Sequence, residues 1–243
     1  MNSSSMQYFP VAWPVLLVLA GLLAFAVIVV VLGVVRFASA SMGLRPGTML
    51  TILLLALLGS YINIPVAYLP GREIQRAAVV SFFGVQYVVP VVHHWPATVI
   101  AVNVGGAIIP ALLSIYLIVR NGFYGLAAIA ILIVALVCHA LAEPVPGLGI
   151  VEPVFIPPIV TAIVAILLSR RYAAPLAYVS GSLGTLIGAD LLNLGPIQGL
   201  GAPVASIGGA GTFDGIFVTG LLAVIYAGIG VHSGTGRAPL RRA

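Results

Sequence analysis

Two carboxylates, Asp190 and Asp214, interrupt the most apolar part of a chain that holds only five acidic residues. A charged side chain at the centre of a membrane helix costs about 2.5–3.5 kcal/mol on insertion scales, so it normally faces a cavity or a partner rather than lipid. Brought together, two such groups can share one proton. One then activates water as general base while the other protonates a peptide oxygen or leaving amine. Either acid alone could instead carry a proton or hold a cation during transport. Further candidates lie nearby. His139 and Glu143 are four residues apart on a predicted helix and share a face. Glu152 opens the next apolar run, Asn193 follows Asp190 by three positions, and Gly208, Gly209, Gly211 and Thr212 precede Asp214. Asp190 and Asp214 are the candidate catalytic pair, and the other eight residues are candidates for binding a substrate or ion. One histidine and one glutamate are too few for a structural zinc site, and no second histidine pair or cysteine cluster supports them. Metal and cofactor therefore remain open.

The elements that must position these residues are membrane helices. Of 243 residues 61% are hydrophobic and 6% charged, and the mean hydropathy is +1.22. A water-facing surface cannot be built from that composition. The expected fold is an all-α polytopic bundle of seven or eight spans. It forms one integral domain over residues 1–243, with a candidate N-terminal unit at residues 1–121 and a site-bearing C-terminal unit at residues 122–243. Apolar segments run through Val11 to Val35, Thr48 to Leu69, Ala77 to Val92, Ala97 to Val119, Phe123 to Leu141, Pro153 to Ser169, Ala174 to Leu194 and Phe213 to Val231. The first has no arginine or lysine before it and is longer than a signal-peptide core, so it reads as a retained span. The third contains Gly84 and Gln86 between Pro70 and a proline-bounded turn, which fits a short, re-entrant or interfacial element. Cys138 is the single cysteine; it lies in an apolar run and reads as a small buried residue.

All ten basic residues are arginines at the ends of apolar runs, which is the pattern of topology signals and not of a nucleic-acid surface. If the third element does not cross, an N-out, C-in chain places Arg36, Arg45, Arg120, Arg170, Arg171, Arg237, Arg241 and Arg242 inside. If it crosses, an N-in, C-in chain leaves Arg36 and Arg45 outside and brings Arg72 and Arg76 in. Both solutions agree from Arg120 onward and put the C-terminus in the cytoplasm. Glu143, Glu152, Asp190 and Asp214 then all sit toward the opposite face.

Two segments are candidate walls for such an acidic site. Glu143 to Pro158 holds five prolines besides its glycines and reads as a rigid, shaped turn whose Pro157 and Pro158 kink or delay the next helix. Gly195 to Thr212 is glycine-rich and uncharged, which suits a re-entrant connection before the last span, where backbone can approach backbone or ligand. Helix packing through small residues would use the same composition, and Asp214 could simply complement a helix N-terminus capped by Thr212. Short echoes join the two halves: Asn63-Ile-Pro65 with Asn193-Leu-Gly-Pro196, and Val104-Gly-Gly-Ala107 with Ile207-Gly-Gly-Ala210.

The run Ala177-Tyr-Val-Ser-Gly-Ser-Leu-Gly-Thr-Leu-Ile-Gly-Ala-Asp-Leu-Leu-Asn193, with Ser206-Ile-Gly-Gly-Ala-Gly-Thr-Phe-Asp-Gly-Ile-Phe217, resembles a prokaryotic multi-pass membrane family catalogued only as a domain of unknown function. That resemblance spans about Pro144 to Tyr226 and implies no activity. Gly211-Thr-Phe-Asp214-Gly-Ile-Phe217 resembles the Gly-x-Gly-Asp helix start of presenilin-type aspartyl intramembrane proteases, although Phe213 stands where that family has glycine. This second resemblance implies a catalytic Asp214, with Asp190 on the preceding helix as its partner.

Three functions are therefore expected to compete: an aspartyl intramembrane protease-like hydrolase, a proton- or cation-coupled transporter, and a non-catalytic assembly subunit. The expected surroundings are the lipid bilayer of a prokaryotic cytoplasmic (inner) membrane, with a transmembrane peptide or a cation as candidate partner and no nucleic acid. Oligomeric state stays open.

Overall fold

The first helix, α1 (Trp13–Ser41), is exposed along its apolar length from Leu16 to Leu32, and it meets the body only near its end, through Val35, Ala38 and Ser39. Gly43, at φ 69°, closes the turn that follows, and Pro46 starts α2 (Pro46–Gly59) at a position where no N–H is required. The computed structural model describes residues 13–82, 85–95, 97–145, 149–197, 202–209 and 215–234. Asp214, Gly211, Thr212 and the last three arginines lie outside the described residues.

After α2 the chain turns to strands. β1 (Asn63–Leu69) is followed by a hairpin of β2 (Arg72–Phe82) and β3 (Val85–Trp95), and then by β4 (Thr98–Asn103). β1 and β4 pair antiparallel from Asn63 beside Asn103 to Leu69 beside Thr98, with a register shift between Pro65 and Ala67, where proline lacks a donor. β7 (Val204–Ile207) joins β4 in parallel, Val99 beside Val204 and Val102 beside Ile207, giving the order β1-β4-β7. The sheet thus joins residues from both candidate units of the chain.

The remaining helices are α3 (Ile109–Asn121), entered through a π-helical turn at Val104–Ile108, then α4 (Tyr124–Leu141), α5 (Ile156–Leu168), α6 (Ala173–Thr185), a short α7 (Leu194–Ile197) and α8 (Gly215–Gly234). Gly122, in the left-handed region, ends α3 by donating its N–H to the Ile118 carbonyl at 2.9 Å. A small antiparallel pair, β5 (Glu143–Val145) and β6 (Gly149–Val151), links α4 to α5. Pro157 and Pro158 are buried in the first turn of α5.

The centre of the bundle is α6, whose residues from Ala173 to Ser182 are all buried. Its small side chains let neighbours approach closely. Gly181 lies against Gly220 of α8, Gly184 against Val134 of α4, and Gly188, just beyond α6, against the Ala135 carbonyl and Cys138. The rings of Phe123 and Tyr172, 5.5 Å apart, join the starts of α4 and α6.

These contacts order the two ends of the bundle. At one end lie Ser41, Arg170 and Arg171 around a common cavity, with the Arg120 guanidinium beside Gly43. At the other lie the three-stranded sheet and the acids Glu143, Glu152 and Asp190. Among the described side chains, these arginines and acids lie at opposite ends; Asp214 and the C-terminal arginines fall outside them.

The fold is mostly helical, but it is not all-α. The segment Ala77 to Val92 is a β-hairpin and not a helical crossing, because its run of valines and aromatics favours strand and Pro90 disfavours a helix interior. Thr48 to Leu69 divides into helix and strand, and Ala97 to Val119 into strand, π-turn and helix. Among the described residues, three helical stretches are long and apolar enough to cross a membrane: Leu16–Ser41, Val104–Asn121 and Tyr124–Leu141. The apolar helices Pro46–Gly59, Ile156–Leu168 and Thr219–Gly230 are shorter.

Gly105 is where α2 meets the π-turn most tightly, since a Cβ there would overlap the Ala56 carbonyl and the Ser60 amide. Gly105→Ala should destabilise the purified chain in detergent by about 1–3 kcal/mol, the usual cost of overpacking. Gly47→Ala, in open space on α2, should be neutral or stabilising by up to about 1 kcal/mol. Denaturant unfolding monitored by circular dichroism compares the two.

Candidate functional site

Asp190 closes a π-helical turn, Leu186–Asp190, that widens the end of α6 before a single 3-10 turn at Leu191–Asn193. Such a turn redirects a side chain out of helical register. The Asp190 carboxylate accepts the backbone N–H of Gly208 at 2.6 Å. This bond crosses from the helical body to the turn that follows β7. A charge-assisted hydrogen bond of this kind contributes about 1.5–3 kcal/mol, which offsets part of the cost of placing a carboxylate here.

Gly208 must be glycine for two reasons. Its φ is 87°, and a Cβ would stand 2.6 Å from the Ala107 amide nitrogen and 2.8 Å from the Gly106 carbonyl carbon. The two Gly-Gly-Ala echoes thus meet in space: the first lies in the π-turn after β4, and Gly208 and Gly209 of the second follow β7, the parallel neighbour of β4. Their spatial register differs from their sequence alignment, because Val102 and not Val104 pairs with Ile207.

A polar network ties this junction together. Asn103, almost fully buried, accepts the Gly106 N–H at 2.8 Å and donates its amide to the Ser60 carbonyl at 2.7 Å and to Asn63 Oδ1 at 3.1 Å. The Gly106 donor fixes which end of the Asn103 carboxamide is oxygen. Ser206 Oγ lies 2.6 Å from Asn63 Oδ1 and 2.7 Å from the Gly209 carbonyl, so its one proton is shared between two acceptors. The three strands and both glycine turns are therefore joined by side chains. Asn63, Asn103 and Ser206 were not among the expected site residues. Their signal in the sequence is the presence of amides in apolar runs, since buried amides require partners.

The other expected residues separate into distinct surroundings. Asn193 donates to the Gly188 and Ala189 carbonyls, each at 2.9 Å, and so caps the end of the widened turn. Glu152 is half-buried, and the buried Cys138 thiol lies 3.5 Å from the hydroxyl of Thr185, the last residue of α6. His139 and Glu143 are exposed at the same end of the bundle. Gly209, at φ 74°, continues the turn and donates to the Ser206 carbonyl at 3.2 Å. Among the described residues no three histidine, cysteine, aspartate or glutamate side chains group as a metal site.

A family model described as "Protein of unknown function (DUF1614)" matches residues 57–226. The chain belongs to the DUF1614 family. No curated protein and no solved structure matches it. The DUF1614 region shares the C-terminal limit at Tyr226 read from the sequence motifs but begins well before Pro144. It takes in Gly59, the three strands of the sheet, the Asp190 turn and most of α8, while α1 lies outside it. The Gly208 to Asp190 junction is therefore wholly within the DUF1614 match.

The network predicts that Asn103→Ala destabilises the DUF1614 chain by about 1–3 kcal/mol, because buried donors and acceptors lose their partners. Asn103→Asp should not rescue it, since a carboxylate would face the Ser60 carbonyl and Asn63 Oδ1. Unfolding midpoints of the two variants in detergent check both statements.

Proposed function

We propose that this DUF1614 protein is a multi-pass protein of the prokaryotic cytoplasmic membrane and an intramembrane hydrolase whose catalytic carboxylates are Asp190 and Asp214. The observation that carries the proposal is the Gly208 N–H held on Asp190 just past the end of α6, the helix that packs against α8, which Asp214 immediately precedes in the sequence. Support comes from the packing of α6 against α8. Gly181 meets Gly220, while Ala173 and Ala174 share a cavity with Ala227 and Gly228, so the two helices run antiparallel and α8 begins at the Asp190 end. A second carboxylate just before α8 would share that end with Asp190, which fits general acid–base hydrolysis with a shared proton.

In this reading Gly208 orients Asp190 through one oxygen, and the carboxyl group activates a water held between the two acids. Asp214 supplies the proton to the peptide oxygen or leaving amine. Among the described residues β7 is an edge strand, so an extended substrate backbone could align beside the turn that holds Asp190. All the helices except the short α7 would cross, the shorter ones included, and the hairpin β2–β3 would stay on the acidic side. That is the N-out, C-in solution, with the arginine end in the cytoplasm.

A second reading rests on a separate observation. Two parallel strands, each followed by a glycine turn and a helix, stand side by side around Asp190, and repeated broken elements frame sites in many transporters. Proton- or cation-coupled transport is the activity this would support.

The experiment uses the full chain in proteoliposomes with a panel of transmembrane peptides. Asp190→Asn and Asp214→Asn should each reduce cleavage by about 10²–10⁴-fold, the range for loss of a general acid or base, with folding retained. Undiminished cleavage in both variants would defeat the hydrolase reading. Flux driven by a proton or cation gradient, lost in Asp190→Asn and unaccompanied by cleavage, would establish the transport reading instead.

A further inference from the structure

At the end of the bundle opposite Asp190, a cavity of about 90 Å³ is lined by Ser41, Arg170, Arg171, Ala173, Ala174, Ala227 and Gly228. Four segments build it: the end of α1, the turn between α5 and α6, the first residues of α6 and the later part of α8. Apart from the arginines and Ser41 its walls are alanine and glycine, so backbone groups are within reach of anything that enters. No carboxylate is among the lining residues, and neither arginine forms an ion pair among the described residues.

Both arginines are exposed, and Arg171 is placed by its neighbour. The Arg171 guanidinium lies 5.2 Å from the centre of the Tyr172 ring, which restricts the side chain before any ligand arrives. Ser169 Oγ accepts the Tyr172 N–H at 3.3 Å and shapes the turn. α6 then begins with no side-chain cap. The first-turn amides of Ala173 and Ala174 therefore have no partner within their own helix, and they add to the positive potential that the arginines provide. A cavity lined by two arginines that form no ion pair among the described residues, by a serine and by the start of a helix is complementary to a tetrahedral oxyanion.

Its position says how such an anion would arrive. The cavity takes in Ser41 at the end of α1, and α1 is exposed and apolar from Leu16 to Leu32. Acyl chains lying along α1 would bring a headgroup to Ser41 and the arginine pair.

We propose that this cavity is a phosphate-binding site occupied by the headgroup of an anionic membrane phospholipid. The site clamps α1 to α6 and α8 at the arginine end, and it is independent of the chemistry assigned to Asp190.

The test is lipid-dependent stabilisation of the purified full chain in detergent. Phosphatidylglycerol should raise the unfolding midpoint saturably, and phosphatidylcholine at equal concentration should not. Arg170→Gln combined with Arg171→Gln should weaken the apparent affinity about tenfold or more, the effect of losing at least one charge-assisted hydrogen bond. Arg120→Gln, at the same end but outside the cavity, should change it by less than about twofold. An equal response to both lipids, or an equal loss in Arg120→Gln, would show diffuse surface charge and overturn the proposal. An unchanged affinity in the double variant would overturn it as well. Should the double variant fail to fold, the two-lipid comparison on the unsubstituted chain still decides. Inorganic phosphate is the remaining arm: a shift reproduced by phosphate alone would support the phosphate site and overturn the lipid assignment, and a shift requiring phosphatidylglycerol supports both.

Discussion

The hydrogen bond from the Gly208 N–H to the Asp190 carboxylate is the interaction on which the architecture around the site depends. It joins the widened end of the central helix to a strand turn that is distant in sequence. That turn can reach Asp190 only because Gly208 adopts a positive φ and because its missing Cβ admits the π-turn of Gly106 and Ala107. The same π-turn is held by Asn103, and Asn103 is linked through Asn63 to Ser206. One carboxylate, two glycine turns and three strands are thus mutually constrained. Irregular backbone is tolerated at membrane depth only where protein or water satisfies it, and this network supplies those partners.

How much of this was legible depended on which physical signal each element carries. The spans read as Val11 to Val35 and Phe123 to Leu141 correspond to α1 and α4, since long uniform apolar runs specify helices by length alone. Thr48 to Leu69 and Ala97 to Val119 are also apolar runs of spanning length, yet each holds a strand. Average apolarity does not separate a buried strand from a helix, and the decisive features were local: Gly59-Ser60 before Asn63-Ile-Pro65, and Asn103 before the glycine pair. Charge segregation was legible because arginine and carboxylate positions are set along the chain, and alternating helices carry them to opposite ends.

The site itself was read only incompletely. Asp190, Gly208 and Gly209 stood out as a costly acid and a glycine turn, but their bond is a long-range contact that no spacing encodes. Asn103, Asn63 and Ser206 escaped notice because single polar residues in apolar runs are common in membrane helices and declare a role only when their partners converge. Cys138 is the small buried residue its apolar run implies, and its thiol also lies 3.5 Å from the Thr185 hydroxyl, a contact that no spacing encodes.

The hydrolase account requires Asp190 to work as one of a pair, with Gly208 fixing its orientation and α8 delivering the second acid to the same end of the bundle. The separation of the Asp190 and Asp214 carboxyl groups in a crystal of the full chain tests that requirement most directly. The account predicts a separation within about 5 Å, close enough to share a proton. A separation above about 10 Å would contradict it and leave Asp190 as a solitary acid.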